Sequence, residues 1–85
     1  MDLKEKFKEA VSESESLTDR PSNDSLLQLY CLYKQASEGD IHTDPPANPF
    51  DFVAKAKYDA WAGMKGKTRE DAMMQYIELI RKLKA

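Results

Sequence analysis

Two lysines stand on helix faces that are otherwise apolar. At about 100° per residue, Lys57 falls inside an apolar sector of its segment. That sector is made of Val53, Ala56, Ala60, Trp61 and Met64. On the preceding segment, Lys34 flanks the inward stripe one turn beyond Tyr30. Ammonium groups beside tyrosines and uncovered apolar surface could bind an anionic head next to a hydrophobic tail.

Each of these side chains also has an ordinary structural explanation. Lysines on such faces often extend their stems over apolar neighbours and reach water, or pair with a nearby carboxylate. Tyr30, Tyr33 and Tyr76 carry flat rings and hydroxyls that suit stacking on a heterocycle and hydrogen bonding to phosphate. Aromatic residues at helical spacing are also typical of a plain core. The lysines and tyrosines together therefore indicate a binding site more strongly than either set alone.

The residues that could support catalysis are few. The chain has one histidine and one cysteine, His42 and Cys31. His42 lies in a loop segment and Cys31 on an apolar helical segment, and neither has a partner in the pattern that would activate it. A solvated histidine and a small packing cysteine are the simpler interpretations. We therefore predict that the protein is not an enzyme.

Glycine and proline confine the chain breaks to three places, which leaves four helix-sized segments. The first segment covers residues 2–16. The second begins behind Pro21 with Ser22 as N-cap and stops at Gly39. The third covers residues 52–63, and the fourth begins after Thr68 as N-cap and runs nearly to residue 85. β-strand patterns are absent, so the sequence predicts an all-α fold.

The connections between these segments predict a four-helix bundle. Short connections after the first and third helices favour antiparallel neighbours. The loop from Gly39 to Pro49 has eleven residues with three prolines, which is long enough to let helices two and three run parallel. Apolar residues extend most of the way round helix two and leave only Gln28 and Gln35 as a polar strip. A single interface could not cover so wide a surface.

Composition excludes several classes of protein. The chain has 85 residues with a formal net charge of −2 and a pI near 5.3, so it lacks the basic excess of a nucleic-acid binder. No apolar stretch approaches the roughly 20 residues that a bilayer span needs. The start of the chain has no apolar signal region. We expect one domain over residues 1–85, cytoplasmic and monomeric, with no metal and no cofactor.

Three motifs resemble a known family. They are Tyr-x-x-Tyr-Lys-Gln-Ala at residues 30–36, Lys-Ala-Lys-x-Asp-Ala-Trp at 55–61 and Glu-Asp-Ala-Met-x-x-Tyr-Ile at 70–77. Their residues, order and spacing along almost the whole chain are similar to the acyl-CoA-binding protein family. The resemblance implies a four-helix bundle with a long overhand connection between helices two and three. It also implies a non-enzymatic protein that binds medium- to long-chain fatty acyl-CoA thioesters and forms or carries an acyl-CoA pool, with acyl-CoA-using enzymes as possible partners.

The resemblance also assigns roles to individual residues. It implies that Tyr30, Lys34 and Lys57 contact the 3′-phosphate region of coenzyme A, that Tyr33 stacks near the adenine, and that Tyr76 closes the site from helix four. The two lysines are the ones that helical angles alone had singled out. The acyl-CoA-binding site is therefore predicted to comprise Tyr30, Tyr33, Lys34, Lys57 and Tyr76.

Several positions depart from the family pattern. Glu15 stands where a basic residue is frequent near the end of the first helix, Tyr58 replaces a frequent tryptophan, and Ala54 replaces a glycine. The proline loop is one residue longer than its usual form and lacks the Pro-Gly pair. Glu15 would repel a phosphate. The alternative to acyl-CoA binding is a helical interaction module whose wide apolar surface on helix two receives a partner helix.

Overall fold

Four α-helices form the protein in a computed structural model, which describes residues 2–84. They are α1 (Leu3–Ser14), α2 (Asn23–Glu38), α3 (Phe52–Ala62) and α4 (Arg69–Lys84). The predicted number of helices and the all-α class are confirmed. The first helix ends two residues before its predicted limit at residue 16. There the amides of Glu15 and Ser16 bond to carbonyls three residues back, which tightens the last turn.

A capping side chain begins each helix. It accepts a hydrogen bond from the backbone amide three residues further on. The four caps are Asp2, Ser22, Asp51 and Thr68. Ser22 and Thr68 are the predicted caps, and both are confirmed. Helix α2 ends as predicted at Gly39, whose φ of +78° is accessible mainly to glycine.

Helix α2 is the central element of the bundle, because it packs against both α3 and α4, while α4 also packs against α1. Helices α2 and α3 run parallel. Trp61 near the end of α3 bonds to Gly39 at the end of α2, and Leu27 and Phe52 from the first halves of the two helices line one groove. The long proline loop therefore makes the overhand connection that the sequence predicted.

The antiparallel pairing inferred from the short connections is wrong, because neither α1 and α2 nor α3 and α4 approach closely at the backbone within the described residues. Helices α3 and α4 instead both pack on α2, whose apolar surface is wide enough for two partners. Helices α1 and α2 meet through side chains, with the rings of Phe7 and Tyr33 stacked at 6.1 Å between centroids. Each short connection therefore joins two helices that pack on a common third helix or on each other's neighbour: α1 and α2 both pack on α4, and α3 packs on α2, which also packs on α4.

The core lies between α1, α2 and α4. Its buried members are Phe7, Ala10, Leu29, Leu32, Ala36, Ala72, Met73, Tyr76 and Ile80. On α2 the inward face is centred on Leu29 and Leu32, whereas Tyr33 is 41 % exposed. Val53, predicted in the apolar sector of α3, is 67 % exposed. Because α3 packs only against α2 among the described helices, its first half leaves apolar side chains uncovered.

Gln35 was predicted to lie on a polar strip, and this prediction is wrong, because the residue is fully buried. Its Nε2 donates to the Asp40 carboxylate at 2.9 Å and to the Lys67 carbonyl at 2.7 Å. Asp40 also accepts the Gly66 amide at 2.9 Å. These bonds join the end of α2 to the loop before α4. The bond from the Gly66 amide, followed by that from Gln35, lowers the pKa of the Asp40 carboxyl.

We predict that Asp40→Ala lowers the melting temperature, because one N–H of the buried Gln35 side chain and the Gly66 backbone amide lose their acceptor. The pKa of Asp40 is depressed in the folded state. Its stabilising effect is therefore present above the ordinary carboxyl pKa of about 4 and is lost as pH falls through the depressed value. Circular dichroism melts at neutral and acid pH measure both effects.

Asp44→Ala is the matched control, since Asp44 is an exposed aspartate in the same loop. Equal melting temperatures for the two variants at neutral pH would contradict the role of Asp40.

Candidate functional site

A cleft of about 310 Å³ opens between α2, α3 and the proline loop. Helix α2 contributes Tyr30 and Lys34, and α3 contributes Lys57 and Trp61. Tyr30 and Lys34 lie one turn apart, as do Lys57 and Trp61, so each pair points in one direction from its helix. The parallel alignment of the helices brings the two pairs together. Three of the five predicted site residues, Tyr30, Lys34 and Lys57, therefore share one cleft.

Trp61 supports the cleft and is only 3 % exposed. Its indole N–H donates to the Gly39 carbonyl at 2.9 Å, which holds the ring against the end of α2. The Lys34 ammonium lies 4.8 Å from the ring centroid, within the range of a cation–π contact. His42 meets the same ring edge-on at 5.5 Å between centroids. The tryptophan thus orders both the lysine and the start of the proline loop.

Lys34 has an acidic partner on its own helix. Its ammonium forms an ion pair with the Glu38 carboxylate one turn further on, and the other Glu38 oxygen lies 3.1 Å from His42 Nε2. The hydrogen bond with Glu38 raises the pKa of Lys34, and the same bond lowers the pKa of the Glu38 carboxyl. The pairing explanation for a lysine on this face therefore holds for Lys34.

Lys57 is placed differently. Its ammonium lies 5.1 Å from the Tyr30 ring centroid, and its side chain is exposed. Within the part of the chain that the structure describes, no carboxylate lies within ion-pair distance of it. Lys57 can therefore offer its charge to an incoming anion without first losing an internal partner.

An apolar groove continues from the cleft along α2 and α3. Its volume is about 670 Å³, and Tyr30 and Lys57 line both spaces. The groove walls are mainly hydrophobic: Leu26, Leu27, Phe52, Val53 and Ala56. Arg20 lies at its rim. A cationic cleft thus opens directly into a hydrophobic groove.

The other two predicted site residues, Tyr33 on α2 and Tyr76 on α4, lie next to α1. Phe7 stands between them, stacked on Tyr33 and in edge contact with Tyr76 at 5.2 Å between centroids. Tyr76 is only 4 % exposed, and burial raises the pKa of its hydroxyl. Tyr33, in contrast, is 41 % exposed and lines a separate groove with Phe7, Lys4 and Arg69. Tyr76 is thus a core residue, and the Phe7 ring packs between it and the Tyr33 ring.

Comparison with known proteins places this geometry in a family. The family model described as "Acyl CoA binding protein" matches residues 4–80. The chain belongs to the acyl-CoA-binding protein family. It is 46 % identical over 83 residues to the acyl-CoA-binding protein homolog of Drosophila melanogaster, covering 98 % of this chain and 95 % of that protein. It is 45 % identical over 83 residues to the acyl-CoA-binding domain-containing protein 6 of Arabidopsis thaliana, covering 98 % and 89 %.

The fold agrees with this membership in the acyl-CoA-binding protein family. The crystal structure of acyl-CoA-binding protein 2 from Oryza sativa superposes with a TM-score of 0.90 at 39 % identity, covering 96 % of this chain and 90 % of that one. The acyl-CoA-binding protein from Moniliophthora perniciosa gives a TM-score of 0.88 at 37 % identity, covering 98 % and 80 %. The family resemblance and bundle type inferred from the motifs are therefore confirmed.

Residues 2–84 contain no group of three or more histidine, cysteine or acidic side chains placed to hold a metal ion. None of the helices described is both long and apolar enough to cross a bilayer.

Sequence reasoning missed the site positions of Trp61 and Arg20. Trp61 was assigned only to the apolar sector of α3, although its position four residues after Lys57 puts it next to that lysine on the helix. Arg20 precedes Pro21 and the cap of α2. Once α2 and α3 are known to be parallel, a basic residue there must lie near the start of α3. Both signals required the helix direction to be known first.

We predict that Trp61→Phe lowers the free energy of unfolding by about 1–3 kcal/mol, since the Gly39 carbonyl loses its donor and the cleft loses ring volume. Urea denaturation followed by circular dichroism measures this change. Tyr58→Phe serves as control, because it removes one polar group from a half-buried aromatic on the same helix. A Trp61→Phe protein as stable as the control would contradict the anchoring role of the indole.

Proposed function

We propose that this protein binds medium- to long-chain fatty acyl-CoA thioesters and acts as a monomeric pool former and carrier for them in the cytoplasm. The proposal rests chiefly on the continuity of the cationic cleft with the apolar groove, which share Tyr30 and Lys57. A fatty acyl-CoA has the same two parts, an anionic nucleotide and a hydrocarbon tail. Membership in the acyl-CoA-binding protein family supports the assignment.

The cleft is assigned to the 3′-phosphate region of coenzyme A. Lys57 and Lys34 supply the positive charge, and the Tyr30 hydroxyl supplies a neutral hydrogen-bonding group. A hydrogen bond that involves a charged group contributes about 1.5–3 kcal/mol. Two or three such bonds at one phosphate would select coenzyme A esters over free fatty acids. The head group therefore supplies discrimination.

The groove is assigned to the acyl chain. Removing about ten methylenes from water at about 0.8 kcal/mol each gives roughly 8 kcal/mol before the entropy of binding is subtracted. Such a value already lies on the scale of micromolar dissociation constants. The exposed Phe52 and Val53 walls would lose contact with water at the same time. The tail therefore supplies much of the affinity.

The tyrosines on the α1 side are assigned to the adenine end. The Tyr33 ring is exposed enough to stack on a heterocycle. Tyr76 is proposed to act indirectly, by supporting Phe7. The Phe7 ring in turn packs on the Tyr33 ring. In this arrangement Tyr76 closes the site by supporting the Tyr33 ring, with no need to reach the ligand itself.

Binding without catalysis fits the state of the reactive side chains. Cys31 is 3 % exposed, and burial raises the pKa of its thiol, which opposes formation of the reactive thiolate. The alternative of a docking module is less favoured, because α3 and α4 already cover much of the apolar surface of α2, and the part left open forms the groove beside the cationic cleft. We therefore propose a ligand carrier that has no catalytic step.

We predict that Lys57→Ala weakens binding of a long-chain acyl-CoA by ten-fold or more, because it removes the unpaired cation of the cleft. Isothermal titration calorimetry measures the dissociation constants. Lys55→Ala is the matched control, since the Lys55 ammonium lies 3.4 Å from the Asp59 carboxylate and outside the cleft. With dephospho-coenzyme A esters the difference between the two variants should disappear.

An unchanged dissociation constant for Lys57→Ala would refute the phosphate assignment. No binding by the unmodified protein would refute acyl-CoA binding itself and favour the docking module.

We predict that Leu27→Ala reduces affinity for long acyl chains about five-fold and leaves short-chain esters nearly unaffected, because the leucine lines the tail groove. Calorimetric titration with esters of increasing chain length measures the trend. Leu17→Ala is the control, as this half-buried leucine lines a different surface near the end of α4. Equal losses for all chain lengths would place the tail elsewhere.

A further inference from the structure

We propose that Glu38 is an internal competitor for the phosphate site, which lowers the affinity of this protein for its ligand. In the structure the Glu38 carboxylate is paired with the Lys34 ammonium, and an incoming phosphate must displace it. This inference rests on the proposed function, because it concerns the same lysine. It assigns a negative contribution to a residue that belongs to none of the motifs identified above.

The contacts of Lys34 show that Glu38 is placed to compete. The Lys34 side chain is 25 % exposed and lies over the Trp61 ring, so its ammonium has few directions in which to accept another anion. One of these directions is already taken by Glu38 Oε2. The mutual effect on the two pKa values, raised for Lys34 and lowered for Glu38, keeps both groups charged. A phosphate therefore meets a lysine whose charge is already balanced.

Helix stability does not account for an acid at this position. Glu38 is the last residue of α2, where the partial negative charge of the helix end disfavours a carboxylate. The order of the pair, with lysine four residues before glutamate, is also the less favourable one on a helix. The last turn of α2 contains no basic residue of its own, and Arg69 of α4 donates to the Glu38 backbone carbonyl at 3.3 Å and forms no ion pair with its carboxylate. The main effect of the Glu38 charge is therefore to neutralise the Lys34 ammonium.

His42 gives the Glu38 carboxylate a second hydrogen-bonding partner. Its Nε2 lies 3.1 Å from Glu38 Oε1, on the side of the carboxylate away from Lys34. When phosphate takes Lys34, Glu38 can keep this contact and remain near the cleft. The retained negative charge then repels the phosphate across a short distance. Glu38 thus opposes binding both before and after Lys34 changes partner.

The test is the affinity of Glu38→Gln for a long-chain acyl-CoA, measured by titration calorimetry. We expect binding about three- to ten-fold tighter than that of the unmodified protein. The gain is modest because ion pairs near the protein surface are weak. Glutamine has nearly the same size as glutamate, so the change removes the charge and keeps the packing. Glu78→Gln is the matched control. It breaks a helical ion pair with Arg81 on α4, outside the clefts described, and is expected to leave the affinity unchanged.

Two further measurements separate competition from a merely structural effect. With the dephospho-coenzyme A ester the gain from Glu38→Gln should vanish. In a Lys34→Ala background the gain should fall, since the competition for that ammonium no longer exists. Equal or weaker binding by a folded Glu38→Gln protein would overturn the inference and leave the proposed function intact. Absence of binding by the unmodified protein would overturn both.

Discussion

The parallel alignment of α2 and α3 is the constraint on which the site depends. Lys34 lies toward the end of α2, and Lys57 lies at the middle of α3. In an antiparallel pair joined by a tight turn, the start of α3 would lie beside the end of α2, which would separate Trp61 from Gly39 and Phe52 from Leu27. The loop of thirteen residues between the helices, residues 39–51, carries the chain back to the starting end and permits the parallel arrangement. Two hydrogen-bonded anchors then hold the end of α2, Trp61 to Gly39 and Gln35 to Asp40.

Helix α2 serves two purposes because its apolar surface is unusually wide. One side supplies the core through Leu29 and Leu32, and another receives α3 near Trp61. Tyr30 and Lys34 stand at the edge of the α3 interface, where the burial is incomplete. Such an edge suits lysines, whose stems can pack while their ammonium groups reach the aromatic rings and the solvent. The same incomplete burial leaves room for a ligand.

Electrostatic balance around the cleft distinguishes its two lysines. Glu38 compensates Lys34 within the molecule, while the Lys57 ammonium lies over the face of Tyr30. Asp44 also lines the cleft but forms no ion pair with Lys57. The cleft therefore holds one lysine without an acidic partner among the described residues, Lys57, and one that is already paired with an acid, Lys34. With a net charge of −2, the protein as a whole does not attract anions from a distance, so recognition depends on this local arrangement. Glu15, an exposed acid in place of a frequent basic residue, adds to the same tendency.

The sequence by itself determined the four helices, the caps Ser22 and Thr68, the stop at Gly39 and the family, because these depend on local periodicity, turn chemistry and motif spacing. It also singled out Lys34 and Lys57, since a charge on an apolar helix face is visible from angles alone. Tertiary structure decided which helices pair, that Gln35 is buried, and that Tyr76 packs on Phe7 while Tyr30 faces Lys57. It also decided that Lys34 is paired with Glu38 and Lys57 is not. The physical reason is that burial and ion pairing depend on which surfaces meet, and helical periodicity fixes only the direction of a side chain from its own axis.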